Sequence, residues 1–263
     1  IGYSGKIFAH GLSCSPQVKT LTPFMIKTGR ISLKDILLWE DENYFLINKP
    51  PYISTLEDRQ DPLNILSLAR KYVPSAQVCH RLDKDTSGVL AIAKNPEAYR
   101  HLSIQFEKRK VIKIYHAVVQ GLHKFEEQQV DAPILKMDDG IVKISRQGKS
   151  AQTWFTSLRP YKYHTLTECR PVTGRMHQIR IHLSMLGAPI VGDDQYGGKP
   201  LFLSAIKPGF NLKKYTEEQP LIRRMALHAF SLEFADMAEK TQKIEAPYPK
   251  DMQALVKQLE INS

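Results

Sequence analysis

The chain has 263 residues, 42% of them hydrophobic and 24% charged, the balance of a soluble globular protein long enough to bury a core as one large or two small domains. No apolar run approaches the roughly 20 residues needed to cross a bilayer. The three cysteines, Cys14, Cys79 and Cys169, form no CxxC pair, which argues against a disulfide framework or zinc ribbon and for a reducing cytoplasm. Lys and Arg total 37 against 27 Asp and Glu, a net charge of +10 spread along the chain rather than gathered in a tail. Such a distribution suits a folded surface that tracks a polyanion; a basic protein with no such partner is the alternative on charge alone.

Residues 1–35 are weakly patterned and are read as an N-terminal extension or the remnant of a preceding domain, with no charged-then-apolar leader layout. A compact domain is expected over 36–263. It opens with "ILLWEDENYFLINKP", two short strands around an acidic turn. Asp61-Pro62 predicts an N-cap and first helical position for a helix to about Tyr72, and Asn95-Pro96-Glu97 predicts another to about Lys108. Between them, Val89 to Ala93 read as a strand buried on both faces, entered from the polar stretch Arg81 to Gly88. "VIKIYHAVVQG" alternates as a strand ending at glycine, and "SAQTWFTSLR" with "KYHTLTECR" reads as an antiparallel pair. "VTGRMHQIRIHLSMLGAP" predicts a helix capped by Thr173 and closed by Gly187. Its apolar stripe is Met176, Ile179, Leu183 and Leu186. Without regular βαβ alternation, the fold class is α+β: a mixed, mainly antiparallel central sheet flanked by helices.

Three chemistries compete for the polar residues. A metal site is weakly supported: His177 and His182 are five apart rather than four, no HExxH occurs, and the "DKD" at Asp83 and Asp85 has no phosphate-binding glycine loop nearby. A serine or cysteine nucleophile lacks a GxSxG elbow. A lone carboxylate beside an arginine fits better, because a guanidinium keeps a carboxylate ionised in a partly desolvated cleft. Asp83 has Arg81 two residues away, and Arg175 opens a helix whose N-terminus favours anions. The plainer readings are a polar turn at Asp83 and a solvent-facing or phosphate-contacting Arg175.

"HRLDKDTSGVLAIAK" resembles the HRLDxxTSG motif of the RluA-type RNA pseudouridine synthases. Other blocks agree in the same order: "LINKP", "KIYHAVVQG", "GKSAQTWF", "TGRMHQIRIHL", "VGDDQYGG" and "MALHAFSLEF", covering about residues 36–250. The resemblance implies the pseudouridine synthase catalytic fold with an RNA-binding cleft, and an isomerase that turns uridine into pseudouridine in the cytoplasm with no cofactor and no metal. It makes Asp83 the catalytic aspartate and Tyr115 a residue that packs on the target base and handles a proton. It also makes Arg175 the ion-pair partner of Asp83, and Arg81 the side chain that fills the place of a flipped uridine. Ile179 or Leu183 would line the base pocket, although core packing explains both equally, as it would Tyr115. Ribosomal RNA of the large subunit is the expected partner, with transfer RNA second, and the protein is expected to be a monomer. An RNA-binding assembly factor that kept the fold and lost the reaction is the non-enzymatic alternative; the trio Asp83, Tyr115 and Arg175 argues against it. One departure is "PYISTLEDRQD" after "INKP", where the family commonly has a glycine and a histidine. A substrate-adjacent loop is expected to differ there.

Overall fold

The computed structural model describes residues 31–57, 63–137, 140–212 and 216–263. Expectations for residues 1–30 and for the Asp61-Pro62 cap lie outside those residues. The acidic turn joins β1 (Leu37–Glu40) to β2 (Tyr44–Lys49), and its Asp41 carboxylate accepts from the Asn43 and Tyr44 amides at 2.7 and 2.6 Å. Helix α1 (Ile65–Tyr72) starts at Asn64, whose side chain accepts from the Ser67 amide, while α2 (Pro96–Glu107) starts at Asn95 with Pro96 in its first turn, as the sequence predicts. Between the two helices lie β3 (Gln77–Val78) and β4 (Ser87–Ala93). The next strands are β5 (Ile112–Gln120), β6 (Gln128–Asp131), the hairpin β7 (Ile134–Lys136) and β8 (Val142–Ile144), and the pair β9 (Gln152–Pro160) and β10 (His164–Pro171). Helix α3 (Gln178–Met185), β11 (Leu227–Ala235), β12 (Thr241–Glu245) and α4 (Lys250–Ile261) complete the chain.

The main sheet runs β1-β2-β4-β11-β5-β10-β9-β6, with β3 added beside β4 and β12 beside β11. Its neighbours are antiparallel except β4 and β11, which pair in parallel at the centre. Every residue of β4 is buried, which explains its unbroken apolar run. Burying Leu90 or Ile92 contributes roughly 1.5–3 kcal/mol each. Gly88 is required at the start of β4: its φ is +119°, and a Cβ there would lie 2.1 Å from the Ala229 carbonyl oxygen of β11. One core packs Val118, Phe155, Leu183, Ile190 and Leu255 around α3 and α4; a second packs Tyr44, Val89, Leu102 and Phe234 around α2.

Two predicted helices begin later than expected: α1 is capped at Asn64, three residues after the expected cap, and the second shift bears on the site. The helix over Thr173 to Gly187 begins only at Gln178. The buried Gln178 amide oxygen accepts from the Thr173 hydroxyl at 2.7 Å and from the Arg175 amide at 2.9 Å, closing residues 173–177 into a loop. His177 then sits at φ +52°, in the left-handed region, so helix cannot pass through it. The predicted end holds, with Gly187 at φ +70°.

Candidate active site

Asp83 lies in the β3–β4 loop, and side chains from three other segments hold that loop. Thr55 both donates to the Leu82 carbonyl (2.8 Å) and accepts from the Leu82 amide (3.1 Å). Lys49, wholly buried at the end of β2, donates to the Lys84 carbonyl (3.0 Å) as well as to those of Pro50 and Ile53. Arg224 donates to the Asp85 carbonyl (2.9 Å). The backbone is thus tied at the residue before Asp83 and at the two after it, and the Thr86 amide closes a turn onto the Asp83 carbonyl. These ties leave the carboxylate itself unspent. Thr55 belongs to the departing "PYISTLEDRQD" segment, so that stretch contributes to holding the loop.

The carboxylate opens onto a cleft of about 720 Å³, lined by this loop, the end of α2, Lys113 and Tyr115 of β5, and the segment from Pro171 to Arg180. Two groups face its Oδ2: Arg180 Nη1 at 3.7 Å and His177 Nε2 at 3.9 Å. Arg180 is held from behind. Its Nε and Nη2 make a bidentate contact with the buried Asp193 carboxylate at 2.7 and 2.6 Å, and Nη2 also donates to Gln195. Its guanidinium lies 4.8 Å from the Tyr196 ring centroid. Fork geometry lets one arginine satisfy a buried carboxylate with two nitrogens and present the third to Asp83.

Tyr115 occupies the cleft wall, half-buried, with its hydroxyl pushed well above the usual phenol range by burial and then by the charge of Asp83. It is therefore a neutral O–H, able to donate, on a flat ring able to stack on a base. Lys113, on the same face of β5, donates to the Thr173 carbonyl at 3.1 Å, and burial pushes its ammonium down to about 8. Burial likewise holds the His177 imidazole below its ordinary value, against the opposing charge of Asp83.

Of the residues singled out from sequence, Asp83, Tyr115, Arg81, Arg175 and Ile179 all line the cleft. Arg81 is exposed at its rim. Two expectations need correction. The ion pair with Asp83 is made by Arg180 rather than Arg175, whose Nε donates to the Ser150 carbonyl at 3.0 Å. The reason is the shortened helix: residue 175 falls in the preceding loop, and residue 180 takes the first turn. Leu183 is wholly buried in the main core and lies away from the cleft lining. Sequence reasoning also missed His177, Asp193 and Tyr196. Asp193 stands beside a second carboxylate in "VGDDQYGG", and neither its burial nor its partner 13 residues upstream can be read from spacing. Among the described residues, no group of three or more His, Cys, Asp and Glu side chains is arranged to hold a metal ion.

Residues 43–185 match the family described as RNA pseudouridylate synthase, which is more than half of the chain. The chain belongs to that family. Among curated relatives, ribosomal large subunit pseudouridine synthase C of Vibrio cholerae is 35% identical over 231 residues, 86% of this chain and 70% of its own length. The protein of the same name from Escherichia coli is 33% identical over 249 residues, 92% of this chain and 74% of its own. Human RNA pseudouridylate synthase domain containing 4 has a similar structure, with a TM-score of 0.67 at 26% identity, covering 87% of this chain and 94% of that one. This RNA pseudouridylate synthase is an isomerase with an RNA substrate, and the α+β fold read from its sequence is the fold of its structural relatives. Nothing in the described residues is a helix long and apolar enough to cross a membrane.

Proposed function

We propose that this pseudouridylate synthase acts on uridine in large-subunit ribosomal RNA, with Asp83 as the reacting carboxylate, Arg180 as its ion-pair partner and Tyr115 as the aromatic wall and proton-handling hydroxyl. The observation that carries the assignment is the placement of Asp83: its loop is tied on both sides, its Oδ2 faces Arg180, and its carboxylate opens into the cleft beside Tyr115. The ribosomal choice is supported by the names of relatives 33–35% identical to this chain.

The chemistry follows from that geometry. Isomerisation breaks the bond from C1′ to N1, turns the base, and forms the bond from C1′ to C5. C5 then loses its proton and N1 gains one, so atoms and electrons balance within the nucleotide. The Asp83 carboxylate either adds to C1′ or removes the 2′ proton to give a glycal; on both routes Arg180 faces its Oδ2 at 3.7 Å. The base must first leave its stack, at about a few kcal/mol. Arg81, exposed at the rim, is placed to enter the vacated space. Arg175, Lys113 and Lys136 add positive charge along the cleft for the phosphates.

The test is tritium release from RNA labelled at C5 of uridine. Unmodified large-subunit ribosomal RNA and transfer RNA are supplied separately to the wild type and to Asp83→Ala. Release from the ribosomal substrate by wild type alone is expected. Release only from transfer RNA would move the substrate class, and tight salt-sensitive binding without release from either would indicate an assembly factor.

A further inference from the structure

His177 is a residue the reaction as described does not use, yet both of its ring nitrogens have assigned neighbours. Nδ1 lies 2.9 Å from the Tyr196 hydroxyl, and Nε2 faces Asp83. With Nε2 turned to the Asp83 carboxylate, the tautomer that keeps its proton on Nε2 avoids placing a lone pair against that charge. Nδ1 is then the acceptor, and the single proton of the Tyr196 phenol is the donor it meets.

We propose that His177 is a positioning residue for Asp83, held as its Nε2–H tautomer by the Tyr196 hydroxyl. This rests on the reading of Asp83 as the reacting carboxylate. His177 and Arg180 both meet Asp83 at its Oδ2. The 3.9 Å separation exceeds a hydrogen bond; such contacts commonly tighten in the substrate complex. The left-handed backbone at His177 aims the ring into the cleft instead of along α3. Tyr196 serves both neighbours of Asp83, since its hydroxyl holds His177 and its ring lies beside the Arg180 guanidinium. The β7–β8 hairpin places Lys136 on the cleft wall.

The experiment combines a spectroscopic and a kinetic arm on the whole chain. Protein labelled with ¹⁵N-histidine is examined by long-range ¹H–¹⁵N correlation, without RNA, in wild type and Tyr196→Phe. Wild type is expected to show His177 neutral at pH 7.5 with its proton on Nε2, and Tyr196→Phe to show a mixture of tautomers. Single-turnover tritium release is expected to fall 5- to 30-fold in Tyr196→Phe, with RNA affinity within twofold of wild type. His177→Gln, whose amide nitrogen reaches the Nε2 position, should retain more rate than His177→Asn, whose amide stops short. A merely structural role predicts the reverse order, because asparagine tolerates the left-handed backbone better than glutamine. An Nδ1–H tautomer in wild type, or rates unchanged in Tyr196→Phe, overturns the proposal. Undiminished release by Asp83→Ala would instead remove the catalytic reading of Asp83, and the wild-type tautomer would then report on His177 alone.

Discussion

Two buried arginines flank the Asp83 loop, and they are built alike until the last nitrogen. Arg180 grips Asp193 and Arg224 grips Asp251, each through Nε and Nη2. Each has a histidine close by whose Nδ1 meets a hydroxyl: His177 meets Tyr196, and His228 meets Ser87 at 2.9 Å. The difference lies in Nη1. In Arg224 it is consumed by the carbonyls of Asp85, Met225 and Leu227, and the side chain is wholly sealed. In Arg180 it faces Asp83 across a cleft. The histidines diverge in the same way, since Nε2 of His228 ends on the Ala246 carbonyl while that of His177 faces the carboxylate. One cluster therefore ties the loop to β11 and α4, and the other presents charge to a reacting group. An arginine whose every nitrogen is satisfied within the protein is a structural tie; one with a nitrogen left facing open space is available for chemistry.

Breaking this contrast begins with Asp83 itself. Asp83→Ala should lower single-turnover tritium release at least about 10³-fold, with an unchanged circular dichroism spectrum. Arg180→Lys keeps a cation for Asp193 but cannot span both carboxylates. Its rate should fall about 10²-fold, the scale of losing one preorganised donor, with little change in melting temperature. Arg224→Met should do the opposite. Removing one partner of a buried ion pair costs about 3–5 kcal/mol, or roughly 10 °C in melting temperature for a domain of this size. Activity per folded molecule, measured well below that temperature, should drop far less than in Arg180→Lys. Similar kinetic losses in both variants would erase the distinction.

A smaller effect follows from the sealed histidine. Burial, the largest influence, pushes His228 down to about 4, and the nearby Arg224 cation adds to that. The unfolded chain, with histidine near 6.5, therefore binds more protons between pH 6.5 and 4, so this contribution to stability is present above pH 6.5 and is lost as pH falls toward 4. The slope is on the order of 1 kcal/mol per pH unit. Urea midpoints should decline over that window in wild type and decline less in His228→Asn; equal declines would mean that His228 is not the titrating group. The smallest effect is expected at Arg175. Its alanine variant should weaken RNA binding a few-fold and reduce the salt slope by about one, leaving the single-turnover rate within about threefold. A loss rivalling that of Arg180→Lys would restore Arg175 to the ion pair.

The positions of α2, β2, β4, β5, β9 and β10 were legible because each carries its own local signal. Asn95-Pro96 caps a helix, the Val89 to Ala93 run cannot be exposed, and "VIKIYHAVVQG" is rich in β-branched residues and ends at glycine. The start of α3 was misread for a physical reason. Thr173 looks like an N-cap, but its hydroxyl donates to the Gln178 side chain instead of accepting from the helix backbone, and a left-handed His177 intervenes. Local propensity has no access to that competing partner. The error then carried into the site, because it made Arg175 a helix-start arginine and left Arg180 among the helical interior.

What the amino-acid order determines unaided is the set of elements, the basic character, and a reactive-looking carboxylate in a polar loop before a buried strand. These depend on neighbours a few residues apart, where backbone preferences and periodic burial act directly. Which arginine reaches that carboxylate, and which is spent on carbonyls, depends on contacts between Arg180 and Asp193, or Arg224 and Asp85, that are 13 and 139 residues apart. Only the folded chain brings those groups within a hydrogen bond of each other, and a guanidinium's role is decided by which of its donors remain when the packing is complete.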